Sequence, residues 1–528
     1  MSIFSNNSLK GTNKSVTKSF AVKLLIMDFF LLVLTYGGFY RCFFANSDTL
    51  WGALSPSSTF KARLDCYRWI PAIIEFFINR TDFLPALHYR LSLVAFIVAL
   101  SISLYLMQIF YLDLFNSYFG LCDEWTGIRI SVIVAVCLSY VNVLFVEFFY
   151  FTESFYIFGL AFMFMGTGCY MISRKHLGLS LLLFFCMTMC YQMACPIASI
   201  CVGVYVYLEH KGKLSFALVK DVFIKALPPM FLFVFNYLTG PWVQGILAKF
   251  GIESYQEKNI VGYSFNEFIT AVLSSVRELI SSNIGLTPPV YSSIIVILIS
   301  FAVIAFLCIK HKKWGDLFTF ILVEVILVTL VLVVQIVSNP KEFTARTVST
   351  LSFAQSMQLI MMFFWLAAND NGVKSFLGKT AKLVPVVIVL FNFFFIQCII
   401  ENRLVSETLD SIYATRIFDM IENYESETGI TVKNIAVTND IDSPPFYDQV
   451  HFCSGAVNRR CYSDYTWTFL QYCAYNTDLA GNITGRSFNH VDMDSEIYEE
   501  YFKGKNWTYF DVYEQVIFCG ETAYICVF

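Results

Sequence analysis

Apolar stretches about as long as a bilayer is thick recur along this chain, separated by short polar connectors that often carry lysine or arginine. A membrane-crossing helix needs roughly 20 predominantly apolar residues. Such stretches lie near 21–40, 90–112, 128–147, 154–172, 177–191, 194–208, 221–239, 290–309, 315–337, 347–368 and 381–400. Of the 528 residues, 57% are hydrophobic and only 14% are charged, against about a quarter charged in a soluble domain. The expected fold class is therefore a mainly α, polytopic membrane protein of about eleven transmembrane helices. The first run, 22–39, is not followed by a small-x-small cleavage site, so it reads as a retained helix rather than a signal peptide. A net charge of −4 argues against a nucleic-acid partner.

The side of each connector follows from its basic residues, because short cytoplasmic loops are enriched in Lys and Arg. The N-terminal tail holds Lys10, Lys14, Lys18 and Lys23. Alternation from a cytoplasmic tail puts four basic connectors inside: Arg174-Lys175-His176; Lys211, Lys213 and Lys220; Lys310-His311-Lys312-Lys313; and Lys374, Lys379 and Lys382. The 113–127 loop, with Asp113, Asp123 and Glu124, is the exception. Segment 177–208 is interrupted by Tyr191-Gln192 and Pro196, and reads either as two short crossings or as a re-entrant pair. The expected topology is N-in/C-out.

Two domains are expected. Residues 1–400 form the transmembrane domain, with large outer loops at 40–90 and 239–289. Residues 401–528 form a small extracytoplasmic α+β domain, where charge density rises and the long apolar runs stop. Within the second loop, residues 265–280 place Phe268, Val272, Val276 and Leu279 on one helical face, the pattern of a helix lying flat on the membrane. Residues 70–78 look interfacial as well. In the tail, a helix is expected over 404–424, a strand over 434–437, and a hairpin of 516–519 with 522–528 around Gly520-Glu521. The tail has five cysteines, Cys453, Cys461, Cys473, Cys519 and Cys526, so at most two disulfides form there. No Cys-x-x-Cys is present, and no metal site is read. The cofactor, a divalent cation included, stays open.

Ionisable groups near membrane depth are costly, so their positions carry information. Asp48, Asp65, Arg68, Glu147, Glu153, Lys341, Glu342 and Arg346 fall at or near the outer ends of the spans. Three separate loops bring acids and arginines to one side, which places the chemistry outside the cytoplasmic membrane. A sugar donor there is commonly lipid-linked. Transfer from a polyprenyl phosphate needs a carboxylate to deprotonate the acceptor hydroxyl and cations to neutralise the leaving phosphate. Asp48 is the candidate base, with Asp65 and Glu147 as further catalytic candidates. Arg68 and Arg346 are candidate phosphate holders, since a guanidinium fork matches phosphate oxygens. Trp69, Glu153, Tyr191 and Gln192 complete the candidate substrate-binding set.

Each residue also has a plainer explanation. Asp48 suits a helix N-cap. Asp65 suits an ion pair with Arg63 or Arg68. Glu147 and Glu153 suit helix-end anchors, Arg346 a snorkelling side chain, and Tyr191-Gln192 a polar turn.

Several short patterns point further. The first loop reads Asn46-Ser47-Asp48-Thr49-Leu50, then Tyr67-Arg68-Trp69 ahead of an apolar helix. The third-to-fourth span junction runs Tyr140-Val141-Asn142, then Glu147, then Thr152-Glu153-Ser154. Cys190-Tyr191-Gln192 ends the fifth span, Asn339-Pro340 and Ala345-Arg346 precede a late one, and the tail holds Asp464-Tyr465-Thr466-Trp467 and closes on Gly520-Glu521-Thr522-Ala523-Tyr524-Ile525-Cys526. In these patterns the chain resembles the multi-spanning, serotype-converting O-antigen glucosyltransferases of bacteria and their phages, within the GT-C class. It departs in having Ser47-Asp48 where members often show paired acids, and Tyr67-Arg68 where they often have Gly-Arg. The resemblance implies a hexosyltransferase of the bacterial inner membrane using a polyprenyl-phosphate hexose. It also implies an upstream synthase and flippase for that donor, and an extracytoplasmic surface-glycan acceptor. The rival functions are a transporter or flippase of lipid-linked sugars, and a glycan polymerase. Against the transporter stand the lack of a clear internal repeat and spans that are mostly uncharged, with Glu324 and Gln335 among their few polar residues.

Overall fold

A computed structural model describes residues 18–42, 56–78, 80–81, 88–119, 127–151, 154–252, 269–270, 273, 289–338, 349–368, 376–439, 486, 488–505, 507 and 511–527. The chain is mostly helical. Helix α1 (Lys18–Tyr36) runs into a 3-10 turn. Two short helices follow, α2 (Pro56–Asp65) and α3 (Trp69–Ile78), then α4 (Tyr89–Phe119) and α5 (Gly127–Tyr140). After a 3-10 segment, Val143–Tyr150, come α6 (Phe155–Ser173), α7 (Leu177–Cys190), α8 (Ala194–Glu209) and α9 (Pro228–Lys249). Helices α10 (Pro289–Lys310), α11 (Trp314–Ser338), α12 (Thr350–Ala368) and α13 (Phe376–Thr428) complete the bundle. Among the described residues seven helices are long and apolar enough to cross a membrane, and the bent pair of α5 with its 3-10 segment makes up to eight. Helices α3, α7 and α8 and residues 294–310 of α10 are apolar but shorter.

The bundle is centred on α12. Residues 350–366 of this helix are all buried, as befits a helix apolar on every side. Helices α5, α8, α10 and α11 pack against it. Its polar side chains find partners within the bundle: Ser352 Oγ donates to Ser139 O (3.1 Å), and Gln355 Oε1 accepts from Asn142 Nδ2 (3.4 Å). Small residues bring other helices close. A Cβ at Gly166 of α6 would lie 2.9 Å from the Ser103 backbone of α4.

Stretch 128–147 was expected as one helix. It breaks after Tyr140, and the two parts are bent by 43°. Backbone groups freed at such a break must be paired inside the protein. The Tyr36 hydroxyl is shared between the carbonyls of Tyr140 (2.6 Å) and Asn142 (3.3 Å). Val143 N donates to Asn392 Oδ1 (3.2 Å), and Leu144 N to Asn142 Oδ1 (3.0 Å).

Helices α4, α6, α8, α10 and α12 bring their C-terminal ends to one pole of the bundle. There Arg174 pairs with Asp113 (3.0 Å), Lys211 lies over the Tyr118 ring, and Lys313 over Trp365. Helices α6, α8 and α10 terminate alike, with Lys175, Lys211 and Lys312 in the left-handed conformation. In each case the next residue's N–H reaches back five residues to a carbonyl, which is the Schellman ending. Phe20 of α1 meets Arg129 near this pole, whereas α13 runs from it to the opposite end.

Helix α13 is unbroken across residue 400, so the helix expected at 404–424 continues the last apolar stretch. At its end a second hydrophobic core forms around Ile417, Ile421, Ile435, Phe488, Trp507 and Ile525. Among the described residues four strands belong to it: β1 (Asn434–Asn439), β2 (Asn489–His490), β3 (Val516–Cys519) and β4 (Thr522–Val527), in the order β2-β1-β4-β3. Strand β1 is parallel to β2 and β4, while β3 and β4 form the expected hairpin. Gly520 supplies the positive φ of its turn (59°). Tyr424 ties this turn to α13, stacking on Phe518 at 4.4 Å and donating to Gly520 O (3.1 Å). Of the amphipathic run 265–280, only residues 269–270 and 273 are among the described ones, and Cys453, Cys461 and Cys473 lie outside them.

A forked ion pair joins α13 to the sheet. Arg486 Nη1 and Nη2 donate to Glu425 Oε2 (2.7 Å) and Oε1 (2.6 Å), and Val432 N also donates to Oε1 (2.6 Å). The Arg486 guanidinium holds the Glu425 carboxyl below the usual carboxylate range. A depressed carboxyl contributes stability above its unfolded pKa of about 4.3 and loses it as the pH falls through the folded value. Thermal unfolding of this domain, followed through Trp507 fluorescence, should therefore ease progressively below about pH 4.5. Glu425→Gln should flatten that dependence.

Candidate functional site

At the pole opposite the lysines, the α2–α3 connector packs onto the bundle. Helix α2 ends in the same hydrogen-bond pattern as α6, α8 and α10: Tyr67 N donates to Leu64 O (3.0 Å), and Arg68 N to Arg63 O (2.9 Å). The left-handed residue is Tyr67 (φ 54°), in a position that favours glycine. Such strain costs on the order of 1–3 kcal/mol and persists only where surrounding structure over-determines it.

Three amides do so here. Gln192 Nε2 donates to Cys66 O (2.7 Å) and Tyr67 O (3.1 Å). Asn236 Nδ2 also donates to Tyr67 O (3.1 Å), and its Oδ1 accepts from Trp69 Nε1 (2.9 Å). Gln244 Nε2 donates to Leu64 O (2.9 Å). The buried Tyr67 ring stacks on Trp69 and meets Tyr237 edge-on. It lies against Gly240 of α9, where an added Cβ would fall 2.5 Å from the ring.

This clamp aims Arg68. Its guanidinium lies 5.0 Å from the centre of the Tyr191 ring, an attraction worth about 0.5–2 kcal/mol depending on desolvation. Tyr191 in turn meets Phe148 (5.9 Å) and Phe158 (4.9 Å) edge-on. Arg68 forms no ion pair with any described residue, and its buried Nε has no hydrogen-bond partner. Nearby, Arg63 Nε meets Glu75 Oε1 (3.0 Å), which also accepts from Tyr156 OH (2.6 Å). That contact fastens α2 and α3 to α6.

The structure thus brings Arg68, Trp69, Tyr191 and Gln192 together. Gln192 and Trp69 position the connector through their hydrogen bonds, while Arg68 retains a guanidinium able to take an anion. Glu147 is buried in the 3-10 segment beside Phe148, one ring contact from Tyr191. Asp65 is half-buried at the end of α2, two residues before Tyr67. Asp48, Glu153 and Arg346 lie outside the described residues.

No family model, curated protein or solved structure matches this chain. The site therefore rests on its own geometry.

Glu75, Tyr156, Asn236 and Gln244 were not singled out from the sequence. Two signals were available: Glu75 is the lone charge in the apolar helix α3, and Asn236 stands alone among apolar and aromatic neighbours in α9. Among the described residues a metal reading has one cluster to consider, Glu209, His210 and Asp221, whose ligand atoms lie within 4.8 Å of one another. It sits at the lysine pole, and Lys225 Nζ already bridges Glu209 (2.9 Å) and Asp221 (3.0 Å). An internal ammonium supplies its cation.

Gly240→Ala tests the clamp. The new methyl must displace the Tyr67 ring, and overpacking of this kind costs about 1–3 kcal/mol. Thermal unfolding of the detergent-solubilised protein should show the loss. Tyr67→Gly, made alone, should also lower the unfolding temperature, because the cavity left between Trp69 and α9 outweighs the relief of the backbone.

Proposed function

We propose that the protein is an integral-membrane hexosyltransferase acting on the outer face of the bacterial cytoplasmic membrane. In this reading the eleven apolar stretches cross or enter the membrane, the N-terminus is cytoplasmic, and the lysine pole faces the cytoplasm. The α2–α3 connector and the 401–528 domain are then extracytoplasmic. The donor is a polyprenyl-phosphate hexose, supplied by a separate synthase and flippase, and the acceptor is a surface glycan such as O-antigen.

The observation that carries the reading is Arg68. A guanidinium clamped on an aromatic face, beside apolar helices and with no acid pairing it among the described residues, suits a lipid phosphate. In the reaction an acceptor hydroxyl attacks C1 of the hexose while the C1–oxygen bond to the phosphate breaks. The hydroxyl proton passes to a carboxylate, with Asp48 as first candidate and Asp65 and Glu147 as alternatives. Arg68, with Arg346, neutralises the charge that develops on the departing polyprenyl phosphate. The tail domain supplies a surface for the acceptor.

One observation favours a second reading. The helix broken between Tyr140 and Val143 resembles the discontinuous helices that build binding sites in transporters, and a flippase of lipid-linked sugar would use one.

Purified protein in liposomes with a polyprenyl-phosphate hexose and a glycan acceptor separates the two. Transfer of sugar is expected. Movement of donor between leaflets without transfer would favour the flippase, and chain growth a polymerase. Arg68→Lys should keep the fold but lose the fork, lowering kcat by about 10²–10³-fold. Unchanged turnover would remove Arg68 from the role.

A further inference from the structure

Two buried carboxyls lie far from Arg68 in sequence and take no part in the chemistry above. Asp28 of α1 is 2% exposed and Glu324 of α11 is 8% exposed. Each meets one glutamine from a neighbouring helix. Gln108 Nε2 of α4 donates to Asp28 Oδ1 (2.9 Å), and Gln358 Nε2 of α12 donates to Glu324 Oε2.

Both pairs leave the same two atoms over. In the first, Asp28 Oδ2 and Gln108 Oε1 are buried without a partner; in the second, Glu324 Oε1 and Gln358 Oε1 are. All four are acceptors, so none can satisfy another while the carboxyls are ionised. The surroundings offer no charge to balance an anion. Asp28 shares its neighbourhood with Cys137, Tyr140 and Tyr105, and Glu324 with Tyr207. Among the described residues no lysine, arginine or histidine acts on either carboxyl. The second hydrogen of Gln108 Nε2 goes to Cys137 Sγ (3.3 Å), which leaves the amide oxygen as the unpaired atom.

A single proton per pair resolves this pattern. A protonated carboxyl carries one donor. In a carboxylic acid–amide ring, the amide N–H donates to the carbonyl oxygen of the acid, and the acid O–H donates to the amide oxygen. The leftover atoms in both pairs are the two that such a proton would join. We infer that Asp28 and Glu324 are two proton-binding sites within the bundle. Each holds its carboxyl neutral at physiological pH and links a helix pair, α1 to α4 and α11 to α12. The ligand is the proton itself, and the links carry no net charge into a layer where charge is costly. The sites do not depend on which surface reaction the protein performs.

Infrared spectroscopy of the full-length protein in liposomes tests this. At about pH 7, the spectrum should contain the carbonyl bands of two protonated carboxyls, each shifting in heavy water. Carboxyl-¹³C labelling of aspartate should move one band, and of glutamate the other, without any substitution. Asp28→Asn and Glu324→Gln should each delete one band and leave the unfolding temperature unchanged, since an amide is a neutral isostere. Asp28→Ala and Glu324→Ala should lower that temperature. Carboxylate bands alone at neutral pH, as a bound metal cation or a bridging water would leave, would overturn the inference. So would protonated bands that neither label moves.

Discussion

Inside an apolar bundle every backbone polar group needs an internal partner, and at two places where a helix stops this fold meets that demand with side-chain amides. Asn142 and Asn392 serve the chain where α5 ends in mid-bundle. Gln192, Asn236 and Gln244 serve the carbonyls at the end of α2. An amide suits the task because it can donate and accept without bringing a charge. Remove these groups and the backbone would leave unpaired N–H groups at Val143 and Leu144 and unpaired carbonyls at Cys66 and Tyr67 in an apolar setting, each costing several kcal/mol. The two irregular segments that build the candidate site, the α2–α3 connector and the 3-10 segment, exist only under that condition.

Cations in this bundle are held by acids or by ring faces, and each pole uses both: Lys211 and Lys313 lie over rings at the lysine pole, and Arg63 pairs with Glu75 at the other. At the lysine pole, positive charges meet acids: Arg174 reaches Asp113, and Lys225 bridges Glu209 and Asp221. These pairs are half-exposed, where ion pairs add little stability, and their charges are internally balanced. At the other pole Arg68 is held by a ring face and by its own backbone. Tyr191 attracts the guanidinium through its quadrupole without taking up the N–H donors as an acid would. An acid in place of Tyr191 would saturate the fork. The aromatic holder therefore preserves both the position of the charge and its capacity to bind.

The parts of this architecture legible in the sequence are those set by local pattern. The apolar stretches fold largely as helix over their described residues, 128–147 being broken at 141–142, and the terminal hairpin follows from two β-rich runs around Gly520-Glu521. Arg68, Trp69, Tyr191 and Gln192, singled out by residue type and place, meet in space. What escaped notice is set by partners distant in sequence. The break at 141–142 lies inside an apolar run, and nothing local marks it except Asn142. Its cause is the supply of partners from Tyr36 and Asn392, which are over a hundred residues away. Helix α13 crosses residue 400 because backbone hydrogen bonding is indifferent to the change from apolar to charged side chains. Glu75 stayed hidden because its counterion, Arg63, sits on a different helix.

The left-handed residues show why the α2–α3 connector is more than a turn. Lys175, Lys211 and Lys312 end their helices with flexible side chains, and a lysine near a helix C-terminus gains from the exposed carbonyls. Tyr67 has no such compensation. Its ring is buried, and three elements must fit around it: Gly240 by having no side chain, Gln192 and Asn236 by hydrogen-bonding its carbonyl. A glycine at position 67 would relieve the backbone, but it would vacate the space between Trp69 and α9 and release the connector from that helix. The strain at Tyr67 is therefore the cost of locking the direction of Arg68 to α9 and to the start of α8. Any motion of those helices would be transmitted to the guanidinium through the same ring and the same two amides.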